Sequence, residues 1–178
     1  MYAWMTPMAT ITLITGGARS GKSTQALKLA VPHKRKFFVA TGQALDDEMT
    51  ARIEFHRETR PSEFQTVEEP LNVVVALERL ADRADIVVLD CLTLWVSNLM
   101  QLYDDDDPIL TATDQLAKTL KAAKFASVVV TDEVGWGIVP EHAMARRYRD
   151  LLGWTNQKIA SVADNVLLMV SGYPVKVK

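Results

Sequence analysis

Short apolar runs alternate with longer segments of helical period along nearly the whole chain. ATITLITG (9–16) is an apolar run that closes on glycine, and KSTQALKLA after it reads as a helix. KFFVATG (36–42) predicts a second strand. DDEMTARIEFHRET (46–59) sets Met49, Ile53 and His56 at helical spacing, begins with acidic residues that suit the positive end of a helix, and is stopped by Pro61. FQTVEE (64–69) predicts a short strand and LNVVVALERLAD (71–82) a helix. DIVVLD (85–90) is a buried-type strand, and LTLWVSNLMQLY (92–103) is a strongly apolar helix suited to the core or to a subunit interface. DDDDP (104–108) is a break, read as a solvated loop rather than a metal site because adjacent aspartates point in different directions. A helix over about 109–124, a strand SVVVTDE (127–133), a long helix over 141–164, VLLMVSG (166–172) and a closing VKVK complete the chain. Strands and helices in alternation predict a three-layer α/β fold with a mainly parallel central sheet flanked by helices.

Composition narrows the class without naming a chemistry. At 178 residues, 48% hydrophobic and 24% charged, the chain has the make-up of an ordinary globular domain with a substantial core. A net charge of -2 gives no general attraction to nucleic acid or anionic membrane, so any bound anion must be held by a local cluster. Cys91 is the only cysteine, which rules out an internal disulfide and a cysteine zinc site and fits a reducing cytoplasm. No run approaches the length of a membrane span. MYAWMTPMAT is not built like a signal peptide, and residues 1–8 read as a loose N-terminal extension before one catalytic domain, 9–178.

GGARSGKS (16–23) matches G-x-x-x-x-G-K-[ST] between a predicted strand and a predicted helix, the context this phosphate loop requires. The fold expectation is therefore P-loop NTPase-like. Gly16 and Gly21 let the backbone curl so that N–H groups from Gly17, Ala18, Arg19 and Ser20 can face phosphate oxygens. The helix starting near Lys22 aims its positive end at the same point. Lys22 is expected at the β/γ-phosphates, and the Ser23 hydroxyl on Mg²⁺. Asp90, at the end of a predicted parallel strand, is the natural second metal ligand, with helix capping as its structural alternative. Asp132 and Glu133, ending another strand, are weaker candidates.

RIEFHRETRP (52–61) raises a different question. On a helix Arg52, His56 and Arg60 share a face, with Arg57 turned to the side. Positive neighbours disfavour imidazolium, and a neutral imidazole with a free lone pair can attack phosphorus while arginines neutralise a triphosphate. A solvated or buried structural histidine is the plain alternative.

GGARSGKS, ATGQALDDEMTARIEFHRETRP, LDCLTLWVSNLM, TDEVGWGIVPE and NQKIASVAD followed by LLMVSG, in this order from about Thr12 to the C-terminus, resemble the bifunctional adenosylcobinamide kinase / adenosylcobinamide-phosphate guanylyltransferase family of cobalamin biosynthesis. The resemblance implies two reactions. ATP or GTP phosphorylates the aminopropanol hydroxyl of adenosylcobinamide. GMP then passes from GTP to that phosphate through a GMP–histidine intermediate, giving adenosylcobinamide-GDP and pyrophosphate. The histidine of H-R-x-x-R-P is His56; some relatives have two adjacent histidines, where this chain has Phe55-His56. The same resemblance assigns to the nucleotide site the loop Gly16 to Ser23, Ala40, Thr41 and Gly42, then Arg57, Glu58, Thr59 and Arg60, and finally Glu68 and Asp90. It implies a homotrimer with active sites near subunit contacts.

Glu68 suits a guanine N–H edge or a ribose, or is a plain edge-strand charge. Trp136, in the glycine-flanked VGWGIVPE, is either a wall for a flat ligand or a core side chain in a turn. His33 and His142 fall outside the matched motif and read as surface residues. The competing function is a single-function P-loop kinase of a small molecule in which His56 is structural.

Overall fold

A computed structural model describes residues 9–58 and 60–178, and for Arg52 only the backbone. The N-terminal extension, Thr59 and the Arg52 side chain lie outside the described residues. Thirteen elements are described, and their alternation follows from the apolar runs. In chain order they are β1 (Ile11–Gly16), α1 (Lys22–Ala30), β2 (Lys36–Ala40), α2 (Asp47–Glu58), β3 (Phe64–Glu68), α3 (Val73–Arg79) and β4 (Ile86–Asp90). There follow α4 (Leu92–Leu102), α5 (Asp107–Ala122), β5 (Ala126–Val130), α6 (Ala143–Val162), β6 (Asn165–Val170) and β7 (Tyr173–Lys176).

The strands form one sheet in the order β3-β2-β4-β5-β1-β6-β7. Every pairing is parallel except β6 with β7. Alternate residues of each central strand go to opposite faces, and both faces are apolar, as a parallel sheet covered on both sides requires. Leu13, Phe37, Val39, Val87, Leu89 and Val129 join one core with residues of α3, α4, α5 and α6. Ile14, Phe38, Val88, Val128 and Val130 join the other, with Ala26 and Ala30 of α1. Helix α4 proves to be core: Leu92, Trp95, Val96 and Leu99 are all buried.

Register sets the working edge. Glu68, Ala40, Asp90 and Val130 stand level at the C-terminal ends of four neighbouring strands. In an open parallel sheet this edge is where ligands bind. The chain leaves β1 toward β2 on one side and reaches β6 on the other, so the loop after β1 opens at the centre of that edge.

Two features were not foreseen. The closing segment is a full strand, β7, joined to β6 through Ser171 and Gly172, both at positive φ. The aspartate run is shorter as a break than expected, because α5 already begins at Asp107 with Pro108 in its first turn, where proline's missing N–H costs nothing. Asp106 takes an ion pair from Arg147 at 2.7 Å, tying this corner to α6.

Candidate active site

The phosphate loop is held from beneath. Gly16 has φ 148°, and a Cβ there would stand 2.7 Å from Met169 O and 2.9 Å from Ser20 Oγ, so only glycine fits. Gly21, with φ 96°, caps α1; a Cβ would meet Gly172 Cα at 3.2 Å. Gly172 N donates to Ser20 O at 2.9 Å, so the β6–β7 turn braces the loop. The S-G pair at 171–172 was the sequence signal for that turn. Lys22 is buried and curls back over the loop: its Nζ donates to Gly17 O at 2.6 Å and Gly16 O at 3.2 Å, and pairs with Asp132 Oδ1 at 2.6 Å. Ser20 Oγ is buried with no protein partner among the described residues. A hydroxyl so placed beside the N-terminus of α1 suits an anion.

Beside the loop, Ser23 Oγ donates to Asp90 Oδ2 at 2.8 Å. Burial pushes the Asp90 carboxyl up, against the Ser23 hydrogen bond that favours the carboxylate. A hydroxyl and a carboxylate side by side on a phosphate loop are the hard oxygen donors that Mg²⁺ takes, with phosphate oxygens and water completing its shell. Asp132 serves Lys22, and Glu133 accepts from Thr15 Oγ1 at 2.8 Å. The next layer is fixed by buried hydrogen bonds. Thr41 Oγ1 accepts from Cys91 N at 2.9 Å and donates to Cys91 O at 2.7 Å, and Asn98 Nδ2 donates to Thr41 O. The Cys91 thiol behind Asp90 is pushed up to about 12 by burial.

Helix α2 forms the opposite wall. Gly42 lets it approach: a Cβ there would lie 3.3 Å from Ile53 Cδ1. His56 faces a cleft of about 600 Å³ that also takes in the loop from Ala18 to Ser23, Asp90 and Asp132. Arg57 forms an ion pair with Glu68 at the rim. The Arg60 guanidinium carbon lies over the Phe38 ring, 3.6 Å from its centroid, and Arg60 Nη1 donates to Thr66 Oγ1 at 2.6 Å. Burial lowers the Arg60 guanidinium's pKa while Asp90 opposes that shift; a guanidinium keeps its charge regardless.

The structure thus brings Ala18 to Ser23, Ala40, Gly42, His56, Arg57, Arg60, Glu68 and Asp90 to one cleft. It does not bring Thr41, which is buried in the layer beneath, or Glu58, which is exposed and outside the cleft lining. Gly16 and Gly17 frame the loop. The apolar wall of Met49, Ile53, Leu94 and Val134 was not singled out, although Met49 and Ile53 share helical spacing with His56. Trp136 is not a core side chain; it is 73% exposed in the loop after Val134. His142 is exposed and His33 half-buried, and neither lines the cleft.

A strand, a glycine loop and a helix around a buried lysine, with a hydroxyl–carboxylate pair at the end of a parallel strand, define a phosphate-loop enzyme acting on nucleotides. The fold agrees: a KaiC-like protein from Pyrococcus horikoshii superposes with a TM-score of 0.54 at 16% identity, over 91% of this chain and 71% of that one. The family model of cobinamide kinase / cobinamide phosphate guanyltransferase matches residues 12–177. The bifunctional adenosylcobalamin biosynthesis protein CobU of Escherichia coli is 40% identical, over 93% of this chain and 98% of its own. CobU of Salmonella typhimurium is 41% identical with the same coverage, and CobP of Pseudomonas aeruginosa 40% over 93% and 96%. The chain belongs to the cobinamide kinase / cobinamide phosphate guanyltransferase family. By that membership it is a bifunctional kinase and guanylyltransferase of cobalamin biosynthesis.

Proposed function

We propose that both reactions use this one cleft and that His56 carries the second. In the first, the phosphate loop and Lys22 hold ATP or GTP while the aminopropanol hydroxyl of adenosylcobinamide takes the γ-phosphoryl group. In the second, GTP is held in the same loop and a ring nitrogen of His56 attacks the α-phosphorus. An N–P bond forms, the bond to the bridging oxygen breaks, and pyrophosphate leaves. The phosphate of adenosylcobinamide phosphate then attacks the same phosphorus, the N–P bond breaks, and adenosylcobinamide-GDP forms.

The single observation that carries this reading is the position of His56. It lines the same cleft as the phosphate loop, Asp90 and Arg60. Arg60 supplies the positive charge that a transferring phosphoryl group needs. Ser23 and Asp90 would hold Mg²⁺, which neutralises phosphate charge when bound. Glu68 would read the guanine N–H edge, with Arg57 as its partner. The enzyme is proposed to act in the cytoplasm as a homotrimer. Helix α4 is largely core, and the exposed apolar loop carrying Trp136, Val139 and Ile138, the last 97% exposed, offers one surface for subunit contact.

Incubation with α-labelled GTP tests the transfer. Label that is acid-labile and base-stable is expected on the native protein and absent from His56→Ala, which keeps much of its kinase activity. Active kinase with no label would reduce the protein to a single-function kinase. Equal loss of both reactions in folded His56→Ala would make the histidine a substrate-positioning group.

A further inference from the structure

The sheet face under α1 is incompletely covered. The helical members of its core come from α1, apart from Leu94 of α4. Toward β2 and β3 that cover runs out, and Phe38 and Phe64 floor a chamber of about 510 Å³. Leu27 and Val31 form one wall, and Phe55 and Pro61 the other. At its inner end stand Ser23, His56, Arg60 and Asp90, which also line the nucleotide cleft. The two spaces therefore meet at the histidine.

We propose that this chamber is the acceptor site, taking the arm of the corrinoid that ends in the aminopropanol hydroxyl or its phosphate. The inference rests on the function proposed above. A nucleotide held by the phosphate loop fills the cleft side of His56, so the acceptor must approach from another direction. The chamber provides one. Its apolar walls suit the methylene and methyl groups of the arm, its polar rim residues Thr24 and Lys28 suit the amide that joins the aminopropanol, and Arg60 at the inner end suits the phosphate on its tip. Hydroxyl and phosphate acceptors share that arm, so one chamber serves both reactions. A triphosphate is not held here, because the loop from Ala18 to Lys22 does not line it. Its acidic groups are also engaged, Glu63 by Lys36 and Asp90 by Ser23. The volume admits an arm and not a macrocycle, which leaves the ring outside, over Val31 (65% exposed) and Phe55 (62% exposed). When the acceptor oxygen attacks the phosphorus on His56, a P–O bond forms and the P–N bond breaks. The imidazole leaves with that electron pair and returns to its starting form.

Val31→Trp and Leu27→Trp narrow the chamber, and Phe55→Ala strips its mouth. Two readouts are taken on each folded variant: KM for adenosylcobinamide and its phosphate, and labelling of the enzyme by α-labelled GTP alone, which needs no acceptor. The expected result is a rise in corrinoid KM of ~10-fold or more, with the GTP dependence of labelling within about twofold of native. Unchanged corrinoid KM in all three variants would overturn the proposal. So would a parallel loss of labelling, which would make the chamber part of the nucleotide site. If the native protein itself takes no label, the histidine mechanism fails, and corrinoid KM in the kinase reaction still decides the chamber.

Discussion

The two walls of the cleft are built in opposite ways. The phosphate-loop wall is deep: Lys22 and Ser20 are buried, Gly16 and Gly21 sit at positive φ, and Met169 and Gly172 close the loop from below. The α2 wall is shallow. From Asp47 to Glu58 no described side chain is fully buried, and the helix is held by Ile53 against Gly42 and Arg57 against Glu68, with Arg60 on Phe38 just beyond its end. The difference fits the two tasks proposed for these walls. Binding several phosphate oxygens needs N–H groups fixed in advance, because reorganising them would cost binding energy. A nucleophile that takes a group on one side and delivers it on the other has less use for a rigid bed.

The largest effect should come from the deep wall. Lys22→Ala is expected to lower both phosphorylation and guanylyl transfer by at least ~100-fold, since both need the triphosphate held. Steady-state rates of the two reactions, each with saturating corrinoid, measure this. Loss confined to one reaction would mean that the two transfers do not share the loop, and the contrast between a common wall and a specialised one would collapse.

A pair of glycine substitutions sharpens the contrast at the next scale. Gly16→Ala puts a methyl group 2.7 Å from a backbone oxygen at a φ that alanine avoids. It should cost ~1–3 kcal/mol of stability, visible as a drop of several degrees in melting temperature. Gly42→Ala meets the end of the Ile53 side chain at 3.3 Å, which a small shift of α2 relieves. The melting temperature should change little there, while His56 labelling by GTP slows because the helix is displaced. Equal melting losses for the two variants would show that α2 is as firmly built in as the loop.

The same contrast explains what was legible in the sequence. The deep wall is written locally: strand, glycines, lysine and hydroxyl occur in one short run, and burial on both sheet faces leaves continuous apolar stretches that mark β1, β4 and β5. The chemistry of α2 was visible as residue types, histidine among arginines, but not as contacts. That Arg57 would turn to Glu68 and Arg60 to Phe38 depends on β2 and β3 lying beside it, which no local pattern states. Lys22 meeting Asp132, and the β6–β7 turn meeting Ser20, are likewise products of strand order, with partners more than a hundred residues apart. Glu58 was drawn in by its place in the motif; it is exposed and outside the cleft lining.

The smallest structural effect, and the finest test of the shallow wall, is at its rim. The Arg57–Glu68 pair has both side chains more than half exposed, 57% and 55%. Such a pair contributes ~0–1 kcal/mol, because water screens it and two long side chains lose freedom to make it. Glu68→Gln should therefore leave the melting temperature close to native. If Glu68 accepts from the guanine N–H edge, the same change weakens a charged hydrogen bond worth ~1.5–3 kcal/mol. The KM for GTP in enzyme labelling should then rise about tenfold, while KM for ATP in the kinase reaction stays put, since adenine presents no matching N–H edge. A fall of several degrees in melting temperature with unchanged GTP use would assign Glu68 to holding α2 in place. A rise in both KM values would place it against the ribose, which the two nucleotides share.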